Sequence, residues 1–345
     1  MKTFEKIKFL VRKQKIVIIC GKGKKTAQET IKLLLEKKFD LKKEVLIFEV
    51  NSKEIENYRF YITNSQLTVL VLTHMGEIAF NKDHFTGEKE EGKEISKTIS
   101  KFLSRVKLVL NYDDETVRKI GELTNLQNLT FGFNEKADIS VSNLKFNRGM
   151  NFKVHFEGNW VPFWLEGTFG KEQIYAALSA VGVGKFFGIN LIEASNVLKN
   201  YKPLPGKMRL LEGEKGTFIL DNTSAGSFFS MMEAIDILGK IPDFKRKIAF
   251  LGEGNGIEKC ELLGEKVAKE ADLLFVFGEK ARSIAKKALE KGMKKEKIFS
   301  FAKMEEGIKK LKEKMKSGDL ILVTGSKERE IMKMSQIVDE IRKIW

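Results

Sequence analysis

A run near the N-terminus, Gly21-Lys22-Gly23-Lys24-Lys25-Thr26, holds the residue types that grip a polyphosphate. Apolar residues 16–20 before it read as a strand, and 26–39 after it as a helix with Ile31, Leu34 and Leu35 on its apolar side. Backbone N–H groups at a helix N-terminus carry partial positive charge and point at bound anions. A lysine there meets phosphate as a point charge, and a neighbouring Ser/Thr hydroxyl ligates Mg2+. The usual spacing is matched imperfectly. Either Gly23-Lys24 is followed by Lys25 with Thr26 one place late, or Lys25-Thr26 is the pair and Lys24 replaces the second glycine. A merely basic turn before a helix is the competing reading.

Composition narrows the setting. The chain has 345 residues, 42% of them hydrophobic and 32% charged, which excludes a disordered chain and suits two domains. No apolar run approaches the ~18 residues of a membrane span, and the basic N-terminus lacks a signal-peptide core. A cytoplasmic location is expected. Cys20 and Cys260 cannot build a disulfide framework, and three scattered His offer no zinc cluster. The net charge of +15 comes from Lys mixed with Glu at helical spacing, the pattern of a solvated, ion-paired surface. That enrichment also suits a thermophile. It speaks against a nucleic-acid partner and leaves room for a basic cleft that takes a small anionic substrate.

These residues need a scaffold, and the pattern supplies one. In the second half, strand-like runs at 217–220, 247–251, 273–277, 297–301 and 320–323 alternate with helical segments at 227–238, 258–270, 280–291 and 304–316. Such alternation argues for parallel βαβ units. Lys202-Pro203-Leu204-Pro205-Gly206 reads as the linker. In the first half, strands are expected at 45–50, 68–72, 108–111 and 130–133, then a β-rich stretch over 138–166 and two helices over 171–199. The expected architecture is α/β: a P-loop-type, mostly parallel sheet domain over 1–202, followed by a Rossmann-like C-terminal α/β domain over 203–345.

The order of motifs resembles the Mur ligase family, most of all its member that adds a dipeptide to the muramyl tripeptide. Residues Ile19 to Thr26 align without a gap on the family's T-G-T-N-G-K-T-T, and Glu49 falls where the family has a strand-end Glu. Thr73-His74-Met75-Gly76 resembles T-N-I-G, and Leu110-Asn111-Tyr112-Asp113-Asp114-Glu115 resembles L-N-A-D-D-P. Leu129-Thr130-Phe131-Gly132 matches L-T-F-G. Pro205-Gly206-Lys207-Met208 is similar to P-G-R-M, and Asp221-Asn222-Thr223-Ser224 stands at D-D-S-Y. Gly318-Asp319-Leu320 through Gly325-Ser326-Lys327 resembles G-D-V-V-L-V-K-G-S-R. The chain departs from the family where Cys20 replaces a Gly, Lys25 a Thr, Lys207 an Arg, Cys260 a His and Thr324 a Lys. Ala79, or a shifted His84, stands where a His is common. The resemblance starts at about residue 15 and lacks the family's N-terminal nucleotide-sugar domain.

The resemblance implies ATP- and Mg2+-dependent joining of a carboxylate to an amine through an acyl phosphate, on an anionic substrate other than a UDP-muramyl peptide. Pseudomurein peptides, polyglutamyl folates and the nickel tetrapyrrole of methanogens are substrates of such relatives. It implies that Gly21, Gly23 and Lys24 or Lys25 hold the ATP phosphates, with Thr26 and Glu49 on the metal. His74 would approach the same place from its strand end, and Asn111 and Asp114 would contact adenine or ribose. Lys97 is the nearest candidate for the carbamylated lysine that some relatives use for a second metal. Asp221, Ser326 and Lys327 would line the second domain's nucleotide edge, with a hinge at 203–206. A monomer is expected. A non-catalytic relative with weak or no nucleotide binding is the alternative, and a P-loop nucleic-acid-binding protein a remote one.

Overall fold

The computed structural model describes residues 3–79, 85–254, 260–279, 281–325 and 331–342. By contact the chain divides into two compact units: 1–145 with 151–165 and 171–201, and 146–150 with 166–170 and 202–345.

The first unit opens with α1 (Thr3–Arg12), β1 (Lys15–Cys20), α2 (Lys24–Leu35) and β2 (Val45–Val50). It continues through α3 (Arg59–Asn64), β3 (Thr68–Leu72), α4 (Lys89–Ile99), β4 (Val106–Asn111), α5 (Glu115–Glu122) and β5 (Asn128–Gly132). Strands β6 (Ile139–Phe146), β7 (Gly149–Phe156) and β8 (Asn159–Glu166) follow, then α6 (Lys171–Phe186) and α7 (Leu191–Leu198). The eight strands run in the order β2-β1-β3-β4-β5-β6-β7-β8. The pairings of β1 with β2 and β3, β3 with β4, β4 with β5 and β5 with β6 are parallel.

The near-continuous apolar runs of β1 and β3 reflect a sheet covered on both faces. Alternate residues Ile16, Ile18, Cys20, Leu70, Leu72, Leu108 and Leu110 join one core with Ile95, Ile99, Val117 and Ile120 from α4 and α5. The opposite set faces α2 and α6. Helix α6 is buried over most of its circumference, and its small residues allow the close approach: a Cβ on Gly182 would stand 2.8 Å from Val109, one on Gly184 2.9 Å from Leu34. Helix α2 ends at Leu35, short of the expected 39, and the chain passes into turns. Helix α1 was not anticipated; it docks through Phe9, whose ring meets Tyr61 edge-on at 4.7 Å. At the start of α7, Asn190 and Glu193 cap each other's backbone N–H, both at 2.9 Å. Asn190→Ala should cost about 1 kcal/mol of stability in urea unfolding, since a lone cap contributes that much; an unchanged midpoint would refute the role.

The second unit contains β9 (Arg209–Glu212), β10 (Phe218–Asn222), α8 (Phe228–Lys240), β11 (Arg246–Leu251) and α9 (Cys260–Glu270). Then come β12 (Leu273–Phe277), α10 (Arg282–Glu290), β13 (Ile298–Phe301), α11 (Met304–Lys314), β14 (Asp319–Thr324) and α12 (Ile331–Ile341). Its sheet has the order β13-β12-β11-β14-β10-β9, parallel except for β9, which runs antiparallel on β10 at the edge. The sequence pattern did not reveal β9. Asp319 is fully buried and takes a two-pronged bond from Arg246, at 2.8 and 2.6 Å, which fixes the start of β14 against β11.

Candidate functional site

Strand β1 delivers the chain to its carboxyl end at Cys20, the end of a parallel sheet where ligands collect. The turn that follows depends on two glycines. Gly21 has φ +111° and Gly23 +73°, backbone that side-chain-bearing residues rarely adopt. Lys22 N–H donates to the His74 carbonyl at 2.7 Å, and the Thr73 hydroxyl donates to the Cys20 and Lys22 carbonyls at 3.1 and 2.5 Å. The loop is thereby stitched to the segment that leaves β3.

Gly23 is the N-cap of α2 and supplies no side-chain cap, while the first turn holds Lys24 and Lys25 and no acid. The N–H groups of a first helical turn have no intrahelical acceptor. They remain available to an anion, and the lysines favour one. Lys24 Nζ reaches the carboxyl end of β2, at 3.1 Å from the Val50 carbonyl and 2.6 Å from Asn51 Oδ1. Lys25 is exposed and has no side-chain partner among the described residues. Lys22 pairs with Glu77 at 2.9 Å. The buried Thr26 hydroxyl donates to Glu172 Oε1 at 2.6 Å, from the first turn of α6.

His74 lies beside this turn. It is 5% exposed, its Nδ1 is 2.8 Å from the Gly76 carbonyl, and its Nε2 is buried without a hydrogen-bond partner among the described residues. Burial holds the imidazole below its usual pKa, outweighing the Gly76 bond and nearby Glu172. A Cβ on Gly23 would stand 3.0 Å from that Nε2 and 3.4 Å from Glu172 Cγ. The structure thus brings Gly23, Thr26, His74 and Glu172 together. Glu172 was missed in the sequence because it lies 146 residues beyond Thr26 and no local pattern marks it.

Other expected residues fall elsewhere. Glu49 is partly buried at the end of β2 and shares a face with its register partner Ile19, the face that α2 and α6 cover. Asp114 is completely buried and caps α5: Oδ1 accepts from Thr116 and Val117 N–H, Oδ2 from Met75 and Gly76 N–H at 2.6 and 2.9 Å. Neighbouring Asp113 accepts from Phe133 and Asn134 N–H and the Tyr175 hydroxyl. Asn111 Oδ1 accepts from Asp113 N–H, and its buried Nδ2 has no partner among the described residues at the end of β4. Lys97 is exposed on α4. In the second unit, buried Asp221 clamps the Pro205–Gly206 turn: Oδ2 accepts from Gly206 N–H and Arg209 Nε, Oδ1 from Thr223. Ser326, Lys327 and His84 lie outside the described residues. Burial pushes the Cys20 thiol up to about 12, so it is no nucleophile near neutral pH. Among the described residues no group of three or more His, Cys, Asp or Glu could hold a metal, and no helix is long and apolar enough to cross a membrane.

Comparison with known proteins gives relatives in sequence and in fold. The family described as "Mur ligase, glutamate ligase domain" matches residues 207–327. UDP-N-acetylmuramoyl-L-alanyl-D-glutamate–2,6-diaminopimelate ligase of Aquifex aeolicus is 23% identical over 318 residues, 89% of this chain and 63% of that protein. The chain therefore spans less than two thirds of that relative. A MurF ligase of Thermotoga maritima in complex with ADP has the same fold, with a TM-score of 0.70 and 18% identity over 97% of this chain and 82% of the other. A pseudomurein peptide ligase type C from Methanothermus fervidus matches with a TM-score of 0.60 and 18% identity, over 95% of this chain and 78% of the other. The two units are α/β domains of the kind that make up the central and C-terminal parts of such ligases. Residues 207–327 thus match a Mur ligase domain model, and the chain as a whole is similar to Mur ligases in sequence and in fold.

Proposed function

We propose that the protein is an ATP-dependent carboxylate–amine ligase of Mur type, with residues 1–202 binding the nucleotide and 203–345 forming the C-terminal domain. The observation that carries this reading is the uncapped N-terminus of α2, presented by the Gly21–Gly23 turn at the end of β1 with Lys24 and Lys25 beside it. These groups fit a polyphosphate: free N–H donors, helix polarity and two cationic side chains. Thr26 offers a hydroxyl for the accompanying cation, and Glu49 a carboxylate from the α2 side of β2. ATP, when bound, supplies the phosphoryl group that activates the carboxylate for attack by the amine. The chain's own part is to hold the phosphates at α2 and to offset the negative charge that spreads over the transferring oxygens.

The proposed acid is a small anionic carboxylate other than a UDP-muramyl peptide. The net charge of +15 and the likeness to a pseudomurein peptide ligase support that choice. A second reading, a relative that has lost catalysis, is favoured by one contact: the Glu172 carboxylate on Thr26, an anion where phosphate is expected.

Calorimetry of ATP binding separates the readings. Wild type should bind. Lys24→Ala should weaken binding by about tenfold or more, the usual loss of a charged hydrogen bond. Lys25→Ala, removing an exposed ammonium with no side-chain partner among the described residues, should weaken it by about threefold or less. No binding by wild type would favour the non-catalytic reading.

A further inference from the structure

Helix α1 turns its aliphatic side to water. Over residues 6–12 only Phe9 is buried, its ring against Phe60 and Tyr61. Ile7, Leu10 and Val11 remain 55%, 45% and 77% exposed. Their i, i+3, i+4 spacing groups them within about 100° of the helix surface, roughly opposite Phe9. Exposed aliphatics that stand singly are ordinary, whereas a cluster marks an interaction surface. Among the described residues eight large hydrophobic side chains are exposed; three of them form this stripe, and the rest are scattered over both units.

Cations border the stripe. By the same helical spacing Lys8 and Arg12 lie on the flank beside Val11, and Lys6 on the flank beside Leu10. Exposed Lys13, at φ 48°, follows the end of the helix. Arg12 Nη1 donates to the Lys42 carbonyl at 3.4 Å, and Lys6 Nζ stands 4.8 Å from the centre of the Phe60 ring. None of the four has a carboxylate partner among the described residues, and the helix sequence contains a single acid, Glu5. An apolar stripe edged on both sides by cations is the pattern of a helix that lies in a membrane interface. A second copy of the chain fits less well. Three aliphatic side chains fall far short of the ~800 Å² per partner of a stable protein interface, and a symmetric pair would set like charges against each other. A fluid bilayer closes round a small convex stripe and needs no matching pocket.

We propose that α1 attaches the protein to anionic phospholipid membranes, with Ile7, Leu10 and Val11 in the headgroup boundary and Lys6, Lys8, Arg12 and Lys13 on lipid phosphates. The attachment is reversible, because one short helix supplies little apolar area. The net charge of +15 adds long-range attraction to the same surface. Neither nucleotide nor catalysis enters, so this proposal and the ligase reading fail separately.

The test is co-sedimentation of the 345-residue chain with lipid vesicles in the absence of nucleotide. Vesicles of equal parts phosphatidylglycerol and phosphatidylcholine should bind wild type about tenfold or more tighter than phosphatidylcholine alone. High salt should release the protein. Val11→Asp should weaken binding by about tenfold or more, and Lys8→Glu by about fivefold or more. Both side chains are exposed, so urea midpoints should stay at the wild-type value; Lys8→Glu serves if Val11→Asp fails to fold. Leu262→Asp, at an exposed leucine of α9, should change nothing. No binding by wild type would overturn the proposal, as would equal binding to the two vesicle types. So would Val11→Asp binding like wild type, or Leu262→Asp binding as weakly as Val11→Asp. A dimer in sedimentation velocity that Val11→Asp dissolves would overturn it in favour of a second copy on the stripe.

Discussion

Asp114→Ala should destabilise the first unit by about 3–5 kcal/mol, the range for breaking a buried charged hydrogen-bond network. Asp114 is completely buried, and its two oxygens accept from the N–H groups of Met75, Gly76, Thr116 and Val117. Two of those donors open α5, and two belong to the segment that carries His74 past Gly23. Removing the carboxylate leaves all four without that acceptor. Asp114→Asn should fall between wild type and alanine, because its amide nitrogen replaces an acceptor with a donor. Urea unfolding measures both. A loss below about 1 kcal/mol for the alanine variant, the scale of an ordinary exposed cap, would mean that water replaces the carboxylate and that Asp114 is free for a ligand.

The second large effect is expected at Gly21. Its φ of +111° is closed to residues with a Cβ, and a Cβ there would stand 2.5 Å from Thr73 Oγ1 and 2.7 Å from the His74 carbonyl oxygen. That carbonyl is backbone and is itself held by Lys22 N–H, so it cannot swing away. Gly21→Ala should cost about 3 kcal/mol or more, combining backbone strain with overpacking. It should also weaken ATP binding, by displacing the turn that presents α2. Gly23→Ala makes the informative comparison. Its φ of +73° is the left-handed region, and its nearest obstacle is the tip of the His74 ring at 3.0 Å. A smaller stability loss, about 1–2 kcal/mol, is expected there. If Gly21→Ala unfolded at the wild-type urea midpoint, the described loop geometry would be wrong.

Much of this molecule was legible one segment at a time. The runs at 16–20, 68–72 and 320–323 mark buried parallel strands, because a sheet covered on both faces must be apolar at every position. The second unit followed from the alternation of such runs with helical periodicity. Its edge strand β9, Arg209–Glu212, escaped because four residues beside a turn carry too little pattern. Helix α1 escaped for a related reason: Ile7, Leu10 and Val11 stay exposed, so its apolar residues do not trace a single buried face. From the sequence, Asp114 was expected to contact adenine or ribose. Only the coordinates show that both its oxygens are engaged by backbone N–H groups.

The sequence by itself determined the glycine–lysine loop between β1 and α2 and its setting, since Gly21, Gly23, Lys24, Lys25 and Thr26 are neighbours in the chain and their chemistry depends on local backbone geometry. Only the tertiary structure decided what stands opposite that loop. His74 arrives from β3 and Glu172 from α6, brought to Gly23 by parallel strand order and by the packing of α6 against α2. Contacts between segments so distant in the chain depend on which faces are buried together, and a linear pattern of residue types does not encode that pairing.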